Sequence, residues 1–179
     1  MGRQQVKCHG DIKRFEAVSD YIYDVYGSSV RYIADVAGGQ GLLSKTLNKR
    51  YNYISEVIDP RGYVLKGIQN RQCEYTADMA DYYDLIVGLH PDEALRPVVE
   101  SARYKPVIVV PCCNCWDKTR KLGTKELIDA IEEYLIEQSI HFEKLTFDFK
   151  GPKNVGFHTM PWDALSSKAV CVTDSGHAE

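Results

Sequence analysis

The sequence predicts a doubly wound α/β fold, a seven-stranded sheet that is mostly parallel with an antiparallel C-terminal strand. Three observations carry that prediction. Strand-like apolar runs alternate with stretches of helical periodicity from position 30 to 137. Two of the runs, 84–89 and 106–110, are apolar almost throughout, as strands covered on both faces must be. Near the end, 141–149 alternates with period two, Gly151-Pro152 turns the chain, and 154–160 can return beside it as an antiparallel partner.

Taken in order, 11–26 sets Ile12, Phe15, Val18, Ile22, Tyr23 and Tyr26 at three- and four-residue steps, an amphipathic helix that ends at Gly27. It is expected to cover one edge of the sheet. The run 30–36 is the first strand, followed by Ala37-Gly38-Gly39-Gln40-Gly41 and a helix-compatible 42–49. The second strand, 53–58, is closed by Asp59-Pro60, and 72–76 is a weak third. After the fourth strand, 84–89, Pro91 suits the first turn of a helix over 92–103, where Asp92 and Glu93 suit its positive end. The fifth strand, 106–110, leads through a loop to Thr124, which can cap a helix over 125–137 with Leu127, Ile128, Ile131 and Leu135 on one stripe. The run 169–172 competes with 154–160 for the last strand.

Composition narrows the classes of function. The 179 residues are 44% hydrophobic and 26% charged, which excludes a disordered or fibrous chain. No repeat, low-complexity tract or linker divides them, so one domain over 1–179 is expected, with a flexible tail at about 173–179. Twenty-two Lys and Arg against 25 Asp and Glu give a net charge of −3, so a nucleic-acid partner would need a local basic patch. There is no apolar run of roughly 18 residues, and residues 1–25 carry charges and no signal-type apolar region. Three of the six cysteines crowd into 112–115, which fits a reduced, cytoplasmic setting better than a disulfide framework.

The strongest motif is Asp35-Val-Ala-Gly-Gly-Gln-Gly41 between a strand and a helix. Glycines there let the backbone approach a ligand closely at the carboxyl end of the first strand, where doubly wound sheets bind nucleotides; a plain strand-to-helix turn is the alternative. Asp59 ends the second strand 24 positions after Asp35. It can accept both hydroxyls of a ribose, or simply form an Asp-Pro turn. Asp78, after the third strand, can accept from an adenine amino group or stand as a loop carboxylate.

On these residues, and on the terminal strand pair, positions 10–160 resemble the class I S-adenosylmethionine-dependent methyltransferases, with Ala37 standing where that family usually has the first glycine. The resemblance implies a three-layer sandwich that binds S-adenosylmethionine through Asp35, Ala37, Gly38, Gly39, Gly41, Asp59, Ala77, Asp78 and His90. Val87-Gly-Leu-His-Pro-Asp-Glu93 and Val109-Val-Pro-Cys-Cys113 are also similar to the tRNA serine uridine-44 2′-O-methyltransferases and related proteins, without those enzymes' long additional regions. That second likeness implies an RNA acceptor.

His90 and Asp92 sit where the fourth strand opens onto the ligand crevice. A neutral imidazole there can take a proton from an attacking hydroxyl or amine, with Asp92 beside it; a helix-capping pair is the competing reading. In the loop after the fifth strand, Asn114 and Trp116 can orient and stack a planar acceptor against Cys113. Cys112-x-x-Cys115 supplies only two of zinc's four usual Cys or His ligands, while Cys8-His9 and Cys171 are distant in sequence, so no metal is expected. The segment 117–125 carries Lys118, Arg120, Lys121 and Lys125 against one acid. It either contacts phosphates or answers the acidic face of the helix that follows. The leading reading is thus a methyltransferase whose favoured acceptor is RNA, held through Cys113, Asn114, Trp116, Lys118, Arg120 and Lys121, with a small molecule or a protein as the next acceptor classes. A nicotinamide-dependent oxidoreductase is a second reading, because Gly39-x-Gly41-x-x-Ser44 is one residue from the dinucleotide pattern. A non-catalytic methyltransferase-like binding subunit is a third.

Overall fold

The computed structural model describes residues 6, 8, 10–117, 119–151 and 153–160. Its elements are α1 (Lys13–Tyr26), β1 (Tyr32–Val36), α2 (Leu42–Arg50), β2 (Ile54–Ile58), β3 (Gln69–Arg71), β4 (Leu85–Leu89), α3 (Leu95–Glu100), β5 (Val107–Val110), α4 (Thr124–Glu137), β6 (His141–Thr146) and β7 (Val155–Met160). They form one seven-stranded sheet in the order β3-β2-β1-β4-β5-β7-β6. β1, β2, β3, β4 and β5 are parallel, and β7 runs antiparallel to both β5 and β6.

The central strands β1, β4 and β5 are buried on both faces because helices cover each side. Alternate residues divide β1: Ile33 points into a cluster with Val18 and Ile22 of α1 and Leu43 and Leu47 of α2. Ala34 and Val36 point the other way, into a cluster with Val98 of α3 and Leu127, Ile131 and Leu135 of α4. The three layers expected from the resemblance are therefore present. Each fully buried Leu or Ile contributes about 1.5–3 kcal/mol, so the two clusters supply most of the drive to fold.

Several expectations need correction. α1 lies on a face of the sheet, not along an edge, because its stripe of Val18 and Ile22 needs the apolar side of β1, β4 and β5. The same helix is tied to the last strand, where the His158 ring nitrogens pair with the hydroxyls of Tyr21 at 2.9 Å and Tyr26 at 2.6 Å. The third strand is 69–71, not 72–76; it is a polar edge strand held by pairing with Glu56, Val57 and Ile58, so no apolar pattern marks it. The helix after β4 is one α-helical stretch between two short 3-10 turns. Thr124 does not cap α4: the capping position is Gly123, whose N–H donates to the Glu126 carboxylate at 2.7 Å. β7, the antiparallel strand, is inserted between β5 and β6 and pairs with both. That order also departs from the 3-2-1-4-5-6 order of dinucleotide folds, which counts against the oxidoreductase reading. Positions 169–172 and the tail at 173–179 lie outside the described residues. Among the described residues, no helix is long and apolar enough to cross a membrane.

Candidate active site

The carboxyl ends of β1, β2 and β4 open on a cavity of about 990 Å³. One wall is the turn after β1. Asp35 is buried, and its Oδ2 accepts from the Ser44 N–H at 3.1 Å and the Ser44 hydroxyl at 2.9 Å, so it fastens the first turn of α2. Burial pushes the Asp35 carboxyl up to about 6, with the Ser44 bonds opposing the rise. The backbone must pass directly over this carboxyl: a Cβ on Gly38 would come within 2.5 Å of Asp35 Cγ. Gly39 has left-handed backbone (φ 56°), and a Cβ there would meet nothing within 4 Å. Ala37 accepts the same left-handed region at φ 55°, which explains how alanine occupies a position usually given to glycine.

Asp59 closes this wall from β2. Its side chain is fully buried, Oδ2 accepts the Gly39 N–H at 3.0 Å, and Arg61 pairs with both oxygens through Nε at 2.9 Å and Nη2 at 2.7 Å. Burial alone would raise this carboxyl, but the Arg61 guanidinium and the N–H groups of Arg61 and Gly39 outweigh it and hold Asp59 below its ordinary value.

The opposite wall comes from the ends of β4 and β5 and from the β6–β7 connection. His90 has left-handed backbone (φ 59°), as does Asp92 (φ 47°). The Lys153 carbonyl lies 2.9 Å from His90 Nε2. A carbonyl only accepts, so Nε2 carries the proton and Nδ1 keeps the lone pair. Burial lowers the His90 pKa, opposed by the hydrogen bond with the Lys153 carbonyl and aided by the nearby Arg14 and Lys153 charges, which favours the neutral ring. Asp92 makes no cap; its Oδ1 instead accepts from the thiols of Cys112 at 3.3 Å and Cys113 at 3.6 Å. Burial and a shared hydrogen bond with Cys113 push the Cys112 thiol up, and the same causes push Cys115 up to about 11, which argues against a nucleophilic thiolate.

Of the residues singled out from sequence, Asp35, Ala37, Gly38, Gly39, His90 and Asp92 all line the cavity. Gly41 does not: a Cβ there would meet Val57 and Ile68 side chains at 2.9 Å, so it serves the packing beneath the turn. Asp59 stands behind the lining, with Arg61 in front of it. Ala77 and Asp78 begin a 3-10 turn outside the cavity lining. Cys113 and Asn114 line a neighbouring cavity of about 250 Å³ that shares Cys112 and Lys153 with the large one. Trp116 cannot stack an acceptor as it stands. It is buried in the core, edge-on to Tyr134 at 5.2 Å and beneath the Arg96 guanidinium at 4.7 Å, because the loop after β5 folds back over α4. Arg120 and Lys121 are exposed and line neither cavity, and Lys118 lies outside the described residues.

Sequence reasoning missed Arg61, Lys150 and Lys153, all of which line the cavity. Arg61 was legible in principle, since an arginine two residues after an Asp-Pro turn is placed to close back on the aspartate.

No protein-family model and no curated protein matches this sequence. Solved structures do. The chain is 14% identical to the sugar N-methyltransferase KedS8 from Streptoalloteichus sp., with a TM-score of 0.54 over 90% of this chain and 98% of that one. It is 13% identical to the methyltransferase domain of bacterial CtHen1, with a TM-score of 0.55 over 83% and 97%. Strand order, three-layer packing and these likenesses together give the chain the fold of the class I S-adenosylmethionine-dependent methyltransferases.

Proposed function

We propose that the protein is an S-adenosylmethionine-dependent methyltransferase. The observation that carries this reading is the junction of β1 and β2, where the glycine turn and the buried carboxylate of Asp59 meet through the Gly39 N–H at the edge of a 990 Å³ cavity. The residues present fit the cofactor. Gly38 and Gly39 leave backbone bare on that wall, and Asp59 offers a carboxylate for ribose hydroxyls once Arg61 gives way. When bound, adenosylmethionine supplies a methyl group on a cationic sulfur, an electrophile that needs no further activation.

This chain's own residues then align the acceptor and manage one proton. His90 is neutral, faces the cavity and keeps a lone pair on Nδ1, so it can take the proton released as an acceptor hydroxyl or amine is methylated. The Lys153 carbonyl fixes its tautomer. Lys150 and Lys153 stand exposed at the mouth, and Arg120 and Lys121 are exposed on the loop between β5 and α4, a distribution that favours a phosphate-bearing acceptor; RNA is the acceptor class we infer.

Native mass spectrometry and calorimetry test the reading directly. Retention or micromolar binding of adenosylmethionine or its demethylated product supports it. Binding of NAD in its place, or of neither, overturns it, the last result pointing to a non-catalytic binding subunit.

A further inference from the structure

We infer that Cys112, Cys113 and Asp92 form a binding site for a single thiophilic divalent cation of the zinc class, on the wall between the two cavities. From sequence, only Cys and His were counted as ligands, and they fell short of a set. The fold adds a carboxylate from a different loop: Asp92 follows β4, the thiols follow β5, and the parallel pairing of those strands brings their ends together.

The geometry is already that of a ligand set. Cys112 Sγ lies 3.3 Å from Cys113 Sγ, and Asp92 Oδ1 lies 3.3 Å from the first and 3.6 Å from the second. An ion at the usual zinc distances of roughly 2.0–2.3 Å can sit just out of the plane of such a triangle and reach all three atoms without moving any of them. Thiols are weak donors, so two of them converging on one carboxylate oxygen gain little as hydrogen bonds. The same three atoms around a cation gain far more. Cys115 Sγ, 3.4 Å from Cys113 Sγ, lies behind the set.

Zinc sites with three protein ligands leave a fourth position for water or substrate. Asp92 and Cys112 both line the large cavity, so that position opens toward the space beside His90. There the ion would polarise an acceptor oxygen or nitrogen. Loading is balanced by protons: two thiols become thiolates, and two protons leave for each cation bound. The site does not depend on the methyltransferase reading, and metal uptake can be measured without any activity.

The test uses the full chain, stripped of metal and kept reduced. Titration with cobalt(II) is expected to give one ion per chain with a near-ultraviolet thiolate charge-transfer band, zinc is expected to displace it, and about two protons per ion are expected to be released. Cys112→Ser/Cys113→Ser is expected to abolish the band. Asp92→Asn, at an exposed position where misfolding is not in question, is expected to weaken binding at least tenfold, and Cys115→Ser is expected to keep it. Absence of the band in the reduced wild-type chain, or its survival in the double variant, overturns the site. Loss of metal in Cys115→Ser overturns the open fourth position.

Discussion

Along the β1–β2 wall of the cavity, polar groups are buried and tied down: Asp35 by Ser44, Asp59 by Gly39 and Arg61. Along the β4–β5 wall, His90 and the cysteines are half-buried, Asp92 is exposed, and contacts run through side chains and strained left-handed backbone. The first wall is shaped by where a Cβ cannot go, the second by which side chains happen to be there. A cofactor common to many acceptors can use a wall of the first kind unchanged, whereas acceptor choice can be rewritten on the second without disturbing the core.

The largest expected effect separates chemistry from binding. His90→Ala is expected to lower the methylation rate by about 10²–10⁴ with adenosylmethionine affinity nearly unchanged, measured by single-turnover kinetics and calorimetry. The wild-type pH profile carries the same point. Burial lowers the imidazole below its ordinary 6.5, so the neutral base persists through pH 7 and the rate falls only as pH drops through that lowered value. A rate loss already centred above pH 7 would remove His90 from the role.

Next come two glycines on the first wall. Gly41→Val forces a branched side chain into Val57 and Ile68 on left-handed backbone, and is expected to cost about 3 kcal/mol in urea denaturation. Gly39→Val meets no protein atom, so its cost is expected to stay near 1–2 kcal/mol while cofactor binding is lost to steric overlap in the cavity. Equal stability losses in the two variants would contradict the division between packing and recognition.

Smaller effects follow at the second carboxylate. Asp59→Ala is expected to weaken adenosylmethionine binding by about 1.5–3 kcal/mol. Arg61→Ala is expected to strengthen it by at most about 1 kcal/mol, since the half-exposed guanidinium must release Asp59 before a ribose can use it. Weaker binding in Arg61→Ala would mean that the arginine itself holds the cofactor. The smallest effect belongs to the basic loop: Arg120→Gln/Lys121→Gln is expected to flatten the salt dependence of RNA binding by about 1.4 units of slope, roughly 0.7 per single-strand contact, with cofactor binding untouched.

The first wall was largely readable because its constraint is local. Asp35 and the glycines that must pass over it lie within a few positions of each other, and left-handed backbone favours glycine whatever surrounds it. Gly41 is bound by a second constraint that the motif does not show, since the Val57 and Ile68 side chains beneath it come from elsewhere in the chain. The second wall was less readable. Trp116 looked like a stacking platform until α4 and Arg96 covered it, and Asp92 looked like a cap until β5 brought two thiols to it. β3 was misplaced because a polar edge strand has no periodicity to detect.

The position of β7 has a consequence for the order in which the molecule can be made. During synthesis β6 emerges before the strand that joins it to the sheet, and until residues 155–160 follow, the outer edge of β5 stays unpaired with its four apolar residues nearby. Completion is therefore a late event that closes two gaps at once, and it also delivers His158 to Tyr21 and Tyr26. A helix made early, α1, is locked by a strand made more than a hundred residues later, so a stall between β6 and β7 would leave a nascent chain with both that helix and its central sheet unfinished.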